Sequence, residues 1–222
     1  MIDQGNKVYL VEREDIQSLF SPRQADLHKG DFGYVGIMGG CTEYSGAIKL
    51  ANMSLASLRS GAGVVRVIVP KSIVSSISPY LLEQTLFPVE DENSYMIFSP
   101  DQLKQAFTKL KSLAVGMGWG KGKDNAKILT YLLETVTFPL VIDADGLTTL
   151  ANMDKSCLLK TKAQVVLTPH RKEFERISGY TLAQINQEPI EKARTFAKQY
   201  RGNFIVKRTN YHSDRGEHSL FS

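Results

Sequence analysis

The chain has 222 residues, 42% of them hydrophobic and 23% charged, the ordinary make-up of a globular protein. Its 27 basic and 23 acidic residues leave a net charge of +4, too small an excess to imply nucleic acid, though it suits anionic small molecules. Two cysteines without metal-ligand spacing, Cys41 and Cys157, argue against a disulfide framework and for a reducing compartment. With no apolar N-terminal signal and no run long enough to span a bilayer, the expectation is a soluble cytoplasmic protein. A chain of this length is expected to form one α/β domain burying roughly 70% of its unfolded surface.

Residues 12–20 read as a short helix with Ile16, Leu19 and Phe20 on one side, ended by Ser21-Pro22. The stretch 28–47 organises the rest of the chain: an apolar strand (Tyr34–Met38), the pair Gly39-Gly40, a polar loop, then a helix of small residues. Ile48, Ala51, Leu55 and Leu58 recur at three- and four-residue steps, which predicts a helix over 45–60, stopped at Gly61-Ala62-Gly63. VVRVIVP from Val64 is the next strand, closing a βαβ unit. Weaker strands are expected at 85–89 and 95–98, and a helix at 101–110. Leu113–Val115 runs into GMGWGKGK. A clear helix is expected at 125–136, a buried strand at 140–143, another at 165–170, a late helix at 188–200 and a late strand at 204–207. Alternating strands and helices predict a mostly parallel sheet covered on both faces.

Unusual residues gather at four predicted strand ends: Gly39-Gly40, Gly116–Gly120, Asp143–Asp145 and Thr168–His170. Ligands on open α/β sheets bind outside the carboxyl ends of strands, so the four together predict one site. GMGWGKGK is not a phosphate-binding Walker loop. Gly116 to Gly120-Lys121 is one residue short, and Gly122 stands where Ser or Thr should hold magnesium. A dinucleotide fingerprint is absent too. The glycines suit wrapping a phosphate or ring face with backbone amides, and equally suit a plain turn. Asp143 and Asp145 share a face of an extended chain. Capping of the next helix is expected of Asp145, and a water-mediated magnesium contact of Asp143. His170 and Glu173 fit either a helix start, as cap and dipole partner, or a ligand site.

HKGDFGYVGIMGG, SGA (45–47), GAG (61–63), GMGWG (116–120), DADGL (143–147) and LTPHRKEF (167–174) occur in that order. Together they resemble the ADP/ATP-dependent NAD(P)H-hydrate dehydratase family of the ribokinase-like superfamily, over about residues 9–207. The resemblance implies a ribokinase-like three-layer α/β/α domain over 1–222, with 208–222 an atypical tail. It implies a metabolite-repair lyase: ADP or ATP, with Mg2+, phosphorylates the ring hydroxyl of NAD(P)H hydrate, and phosphate leaves to restore the reduced cofactor. By motif, Ala47, Gly118 or Gly120, and His170 would contact the hydrate. Lys207 and Thr209 would fall in the nucleotide-binding loop, and Asp143 and Glu173 near metal or phosphate.

The family's late Gly-Thr-Gly-Asp motif, anion hole and base, does not occur in this sequence, and Arg208 stands where Gly is usual. The tail from 208 therefore reads as a shifted-frame or truncated ending, and the sheet as incomplete at its C-terminal side. A positioned base contributes roughly 10²–10⁴ in rate and an anion-hole donor about 2.7–4 kcal/mol, so weak turnover is expected. An open sheet edge would favour a homo-oligomer. The alternatives are a ribokinase-like small-molecule kinase that keeps its phosphorylated product, or a non-catalytic nucleotide-binding remnant. Neither nucleic acid nor membrane is expected as a partner.

Overall fold

The computed structural model describes residues 2–4, 7–9, 12–18, 33–53, 62–200 and 203–207. Strands β1 (Ile2–Gln4) and β2 (Lys7–Tyr9) pair antiparallel apart from the main sheet. A helix at Arg13–Ser18 matches the reading of 12–20, whose last two residues lie outside the described part. The strand β3 (Tyr34–Gly39) leads into the helix Ser45–Met53 and then β4 (Val64–Pro70). The expected continuation of that helix, 54–60, lies outside the described residues.

After β4 the chain makes a helical turn, Val74–Ile77, and β5 (Thr85–Val89). The strand expected at 95–98 does not join the sheet. Tyr95–Met96 (β7) instead folds back antiparallel on Asp91–Glu92 (β6), a small hairpin turned by Asn93 and Ser94, both in left-handed backbone (φ 52 and 65). The helix Pro100–Ala106 stops short of its expected end. The long strand β8 (Leu110–Met117) starts there, three residues before the apolar core that marked it in the sequence. Then come the helix Asn125–Thr135, β9 (Leu140–Ile142), helices Ala144–Ala151 and Cys157–Lys160, and β10 (Val165–Leu167). Helices Arg171–Ser178, Leu182–Gln187 and Pro189–Tyr200 precede β11 (Asn203–Phe204).

The main sheet has the order β11-β10-β9-β8-β3-β4-β5, and each neighbouring pair in it is parallel. Alternate residues of the central strands serve two cores. Met38 and Ile68 pack with the buried residues of the helix Asn125–Thr135, Ile128, Leu129, Leu132 and Leu133. Ile37, Val65, Val67 and Val69 pack with Ile48, Ile73 and Ile77 on the other side. Period-two strands between two apolar layers make a three-layer α/β/α arrangement, as the alternation of elements predicts.

Because the sheet is parallel, the carboxyl ends of β3, β4, β8, β9 and β10 share one rim. The chain runs outward from β3 through β4 to β5, then returns to β8 on the other side of β3 and runs outward again. The β3/β8 boundary is therefore the topological switch point, where open α/β sheets hold their ligands.

Candidate functional site

At the switch point the two strand ends are stitched together: the Gly40 N–H donates to the Met117 carbonyl at 2.9 Å. The close approach requires bare backbone. A Cβ added to Gly39 would lie 2.3 Å from the Met117 oxygen. Beyond β8 the chain turns through left-handed glycines. Gly118 (φ 62) passes so close to the start of the helix Ser45–Met53 that an added Cβ would stand 2.4 Å from the Tyr44 carbonyl and 3.0 Å from the Ala47 Cβ. Ala47 and Gly118, from separate sequence motifs, are thus neighbours.

Gly120 is held from a third strand end. Its N–H donates to Asp145 Oδ2 at 2.8 Å, and its carbonyl accepts from Asn125 Nδ2 at 3.0 Å. The β6–β7 hairpin covers this loop. Trp119, fully buried, points Nε1 at the Met96 sulfur (3.3 Å), and Thr42 N–H donates to Ser94 Oγ at 3.0 Å. Tyr95 packs against Gly120 and donates its hydroxyl to Glu43 Oε1 at 3.1 Å. That acceptor raises the tyrosine pKa, while the amide and hydroxyl donors around Glu43 lower the carboxyl's. Burial, reinforced by Glu43, pushes the Cys41 thiol up to about 11, so it stays protonated and unreactive at neutral pH. A cavity of about 210 Å³ opens behind the hairpin between Asn93, Tyr95, Lys121 and Lys123. Ala47, Asp143 and His170 do not line it.

The cap falls to Asp143, not to Asp145 as expected. The helix begins at Ala144, so Asp143 is its cap, accepting from the Ala144 N–H at 2.8 Å, while Asp145 faces back to Gly120. A start two residues earlier than expected decides this. Ala144 sits in left-handed backbone (φ 48), which costs a non-glycine residue about 1 kcal/mol or more, and such strain gathers at functional sites. Asp143 also links the two halves of the rim: its N–H donates to the Val115 carbonyl, and its own carbonyl abuts Gly116.

On the far half, His170 caps the helix Arg171–Ser178. Its Nδ1 accepts from the Glu173 N–H at 3.2 Å, and Glu173 Oε2 accepts from the His170 N–H at 2.8 Å. The same carboxylate also meets the other ring nitrogen of this reciprocal capping box: Nε2 of the half-exposed imidazole stands 3.4 Å from Glu173 Oε1. Lys207 joins through its backbone, donating to the Pro169 carbonyl at 2.8 Å, and through its side chain, whose Nζ reaches both Asp143 carboxylate oxygens at 2.7 Å. Thr168 Oγ1 and Asn125 Oδ1 are buried without a partner among the described residues. Thr209 lies outside the described residues.

The rim therefore joins Ala47, Gly118 and Gly120 to Asp143, and Asp143 to Lys207, His170 and Glu173. The sequence reading missed the clamp from Asp145, the seat of Gly120 on Asn125 and the Glu43–Tyr95 pair. Only Asn125, at a predicted helix start beside the glycines, carried a local signal.

The solved structures that resemble this chain include a ribokinase-like superfamily protein of Enterococcus faecalis V583, with a TM-score of 0.73 and 21% identity over 92% of this chain and 69% of that one. The ADP/ATP-dependent NAD(P)H-hydrate dehydratase of Bacillus subtilis, co-crystallised with ATP/Mg2+, gives 0.69 and 22% over 88% of this chain and 65% of that one. At these identities the likeness speaks for the ribokinase-like fold. Among curated proteins, the bifunctional NAD(P)H-hydrate repair enzyme Nnr of Moorella thermoacetica is 32% identical over 187 residues, 83% of this chain and 35% of that protein. The ADP-dependent (S)-NAD(P)H-hydrate dehydratase of Streptococcus pneumoniae is 30% identical over 189 residues, 84% of this chain and 60% of that protein. The chain thus spans about a third of the bifunctional relative and about three fifths of the single-function one. A family profile for NAD(P)H-hydrate dehydratase matches residues 35–211. The chain belongs to the NAD(P)H-hydrate dehydratase family.

Proposed function

We propose that the switch-point rim binds hydrated NAD(P)H together with an adenine nucleotide, for nucleotide-dependent dehydration back to the reduced cofactor. One observation carries the reading. Residues from five separated motifs, Gly39, Ala47, Gly118, Asp143 and His170, follow one edge through the contacts at Gly40–Met117, Gly118–Ala47, Gly116–Asp143 and Asp143–Lys207 and the bridge between Lys207 and His170. In this reading Ala47 and the glycines lie against the nicotinamide ring, because small residues let a planar group approach the backbone. His170 offers its imidazole edge to the ring hydroxyl. With Nδ1 accepting a backbone N–H, the ring's donor is Nε2, which the hydroxyl would share with Glu173 Oε1, 3.4 Å away. Lys207 supplies positive charge to phosphates, and Thr209, outside the described residues, is proposed as a second contact to the nucleotide. The free, partly or fully buried thiols of Cys41 and Cys157 support a reducing, cytoplasmic setting.

The described carboxylates do not make a cage for Mg2+. Both oxygens of Asp143 contact Lys207 Nζ, and Glu173 is turned into the capping box. No group of three His, Cys, Asp or Glu side chains suited to a metal occurs among the described residues. Magnesium belongs in this reading to the nucleotide's phosphates.

Calorimetric titration with hydrated NADPH and with ADP tests the proposal. Saturable binding of both is expected, with hydrate binding lost in His170→Ala. A chain that binds neither overturns the reading. If added hydrate and nucleotide yield a lasting phosphorylated product without recovery of the reduced ring's near-ultraviolet absorbance, the small-molecule kinase reading replaces it.

A further inference from the structure

Resting on the nucleotide reading of Lys207, we infer that Asp143 is a positioning residue for the Lys207 ammonium, not a cation ligand. The asymmetry of the pair carries the inference. Asp143 is fixed: it follows β9 directly, caps the helix Ala144–Ala151 and has a side chain only a quarter exposed. Lys207 is a four-carbon stem, half exposed, whose freedom would otherwise spread its charge over many rotamers. A single Nζ within 2.7 Å of both carboxylate oxygens confines it to one place. The reach is long-range in sequence, 64 residues, and it spans the β10 end where Thr168 Oγ1 has no partner among the described residues.

An exposed ion pair adds little stability, so what the contact supplies is direction. It holds the charge over the rim before a ligand arrives, and pre-ordering of this kind lowers the cost of binding. Asp143 has no pair of oxygens left over for a metal in this arrangement. Placing the carboxylate at a helix cap also makes the test clean. Asn caps as well as Asp does, so Asp143→Asn keeps the acceptor for the Ala144 N–H and removes the charge that holds the lysine.

The experiment measures ADP affinity for wild type, Asp143→Asn, Lys207→Met and the double variant. Reductive methylation with a 13C label reads the Lys207 environment by NMR. Lys207→Met is expected to weaken ADP at least tenfold and Asp143→Asn about fivefold, with the double variant no weaker than Lys207→Met alone. The methylated Lys207 signal should move to the position of free surface lysines in Asp143→Asn, which a purely structural cap would not cause. Asp143→Asn with wild-type or tighter ADP affinity, or losses that multiply in the double variant, overturns the inference while leaving the nucleotide reading standing. A wild-type chain that takes up no ADP overturns that reading and the inference with it.

Discussion

Single positions around the glycine loop differ in what they tolerate. A Cβ on Gly116 would fall 2.0 Å from the Asp143 carbonyl and 2.5 Å from Gly146 N, in backbone with φ 116. Neither obstacle is a side chain that can swing away. Gly116→Ala is therefore expected to cost about 3 kcal/mol or more, read as a fall in the urea midpoint. Gly46 is the contrasting case, an exposed position of a helix where an added Cβ meets nothing within 4 Å. Gly46→Ala should stabilise the chain by about 0.5 kcal/mol in the same measurement. Both glycines sit in motifs that look alike on paper. The spacing of GMGWG showed that the chain turns there, but not that it turns against Asp143, because that neighbour comes from another strand.

Elements define the site through their ends. The helix Arg171–Ser178 starts at His170, and the same side chain is proposed to meet the substrate. The two roles separate by substitution. His170→Ala removes the cap, at a cost of about 1 kcal/mol and roughly 2–4 °C in Tm. His170→Asn restores an acceptor for the Glu173 N–H and should recover most of that Tm, yet bind hydrated NADPH no better than the alanine variant. Recovered binding in His170→Asn would show that the imidazole only caps. Thr181, which caps Leu182–Gln187 with Gln184, provides the comparison: Thr181→Ala should lower Tm similarly and leave binding unchanged. The apolar patterns placed β3, β4, β9 and the helix Asn125–Thr135, and the start of β10, which ends at Leu167, three residues before its expected end. They failed at Tyr95–Phe98, where four apolar-leaning residues looked like a sheet strand. Left-handed Asn93 and Ser94 fold that segment into a hairpin instead, and Met96 is buried against Trp119. The move of the cap from Asp145 to Asp143 has the same origin: capping depends on the first helical residue, and composition does not fix that to within two positions.

Part of the whole molecule's response to acid runs through Asp124, which is buried beside the glycine loop. Its carboxylate accepts from the Lys127 ammonium at 2.8 Å and from the Phe98 N–H at 3.0 Å, and these donors lower its pKa below the usual 3.8. Folding thus favours the ionised form. The stabilisation is fully present above the unfolded value and fades as pH falls through the lower folded one. Asp124→Asn should cost about 1 kcal/mol at pH 7, and the gap from wild type in urea midpoint should narrow by pH 3. A gap that stays constant or widens in acid would refute this. At this scale the alternation of strands and helices disclosed the parallel three-layer plan, whereas the order of strands emerged only from the folded structure. No local pattern tells β8 to return to the far side of β3.

That return has a consequence for synthesis. β3, β4 and β5 are all made before β8, so the edge of β3 that β8 covers has no partner until then. From Gly39 to Leu110 is roughly 70 residues, about 4–14 s of translation at 5–20 residues per second. Throughout that interval the nascent chain carries an open apolar strand edge in the middle of its future sheet, the kind of surface that chaperones capture and that neighbouring chains on a polysome can pair with. The crevice proposed to hold the ligand is thus also the last seam in the sheet's first half to close.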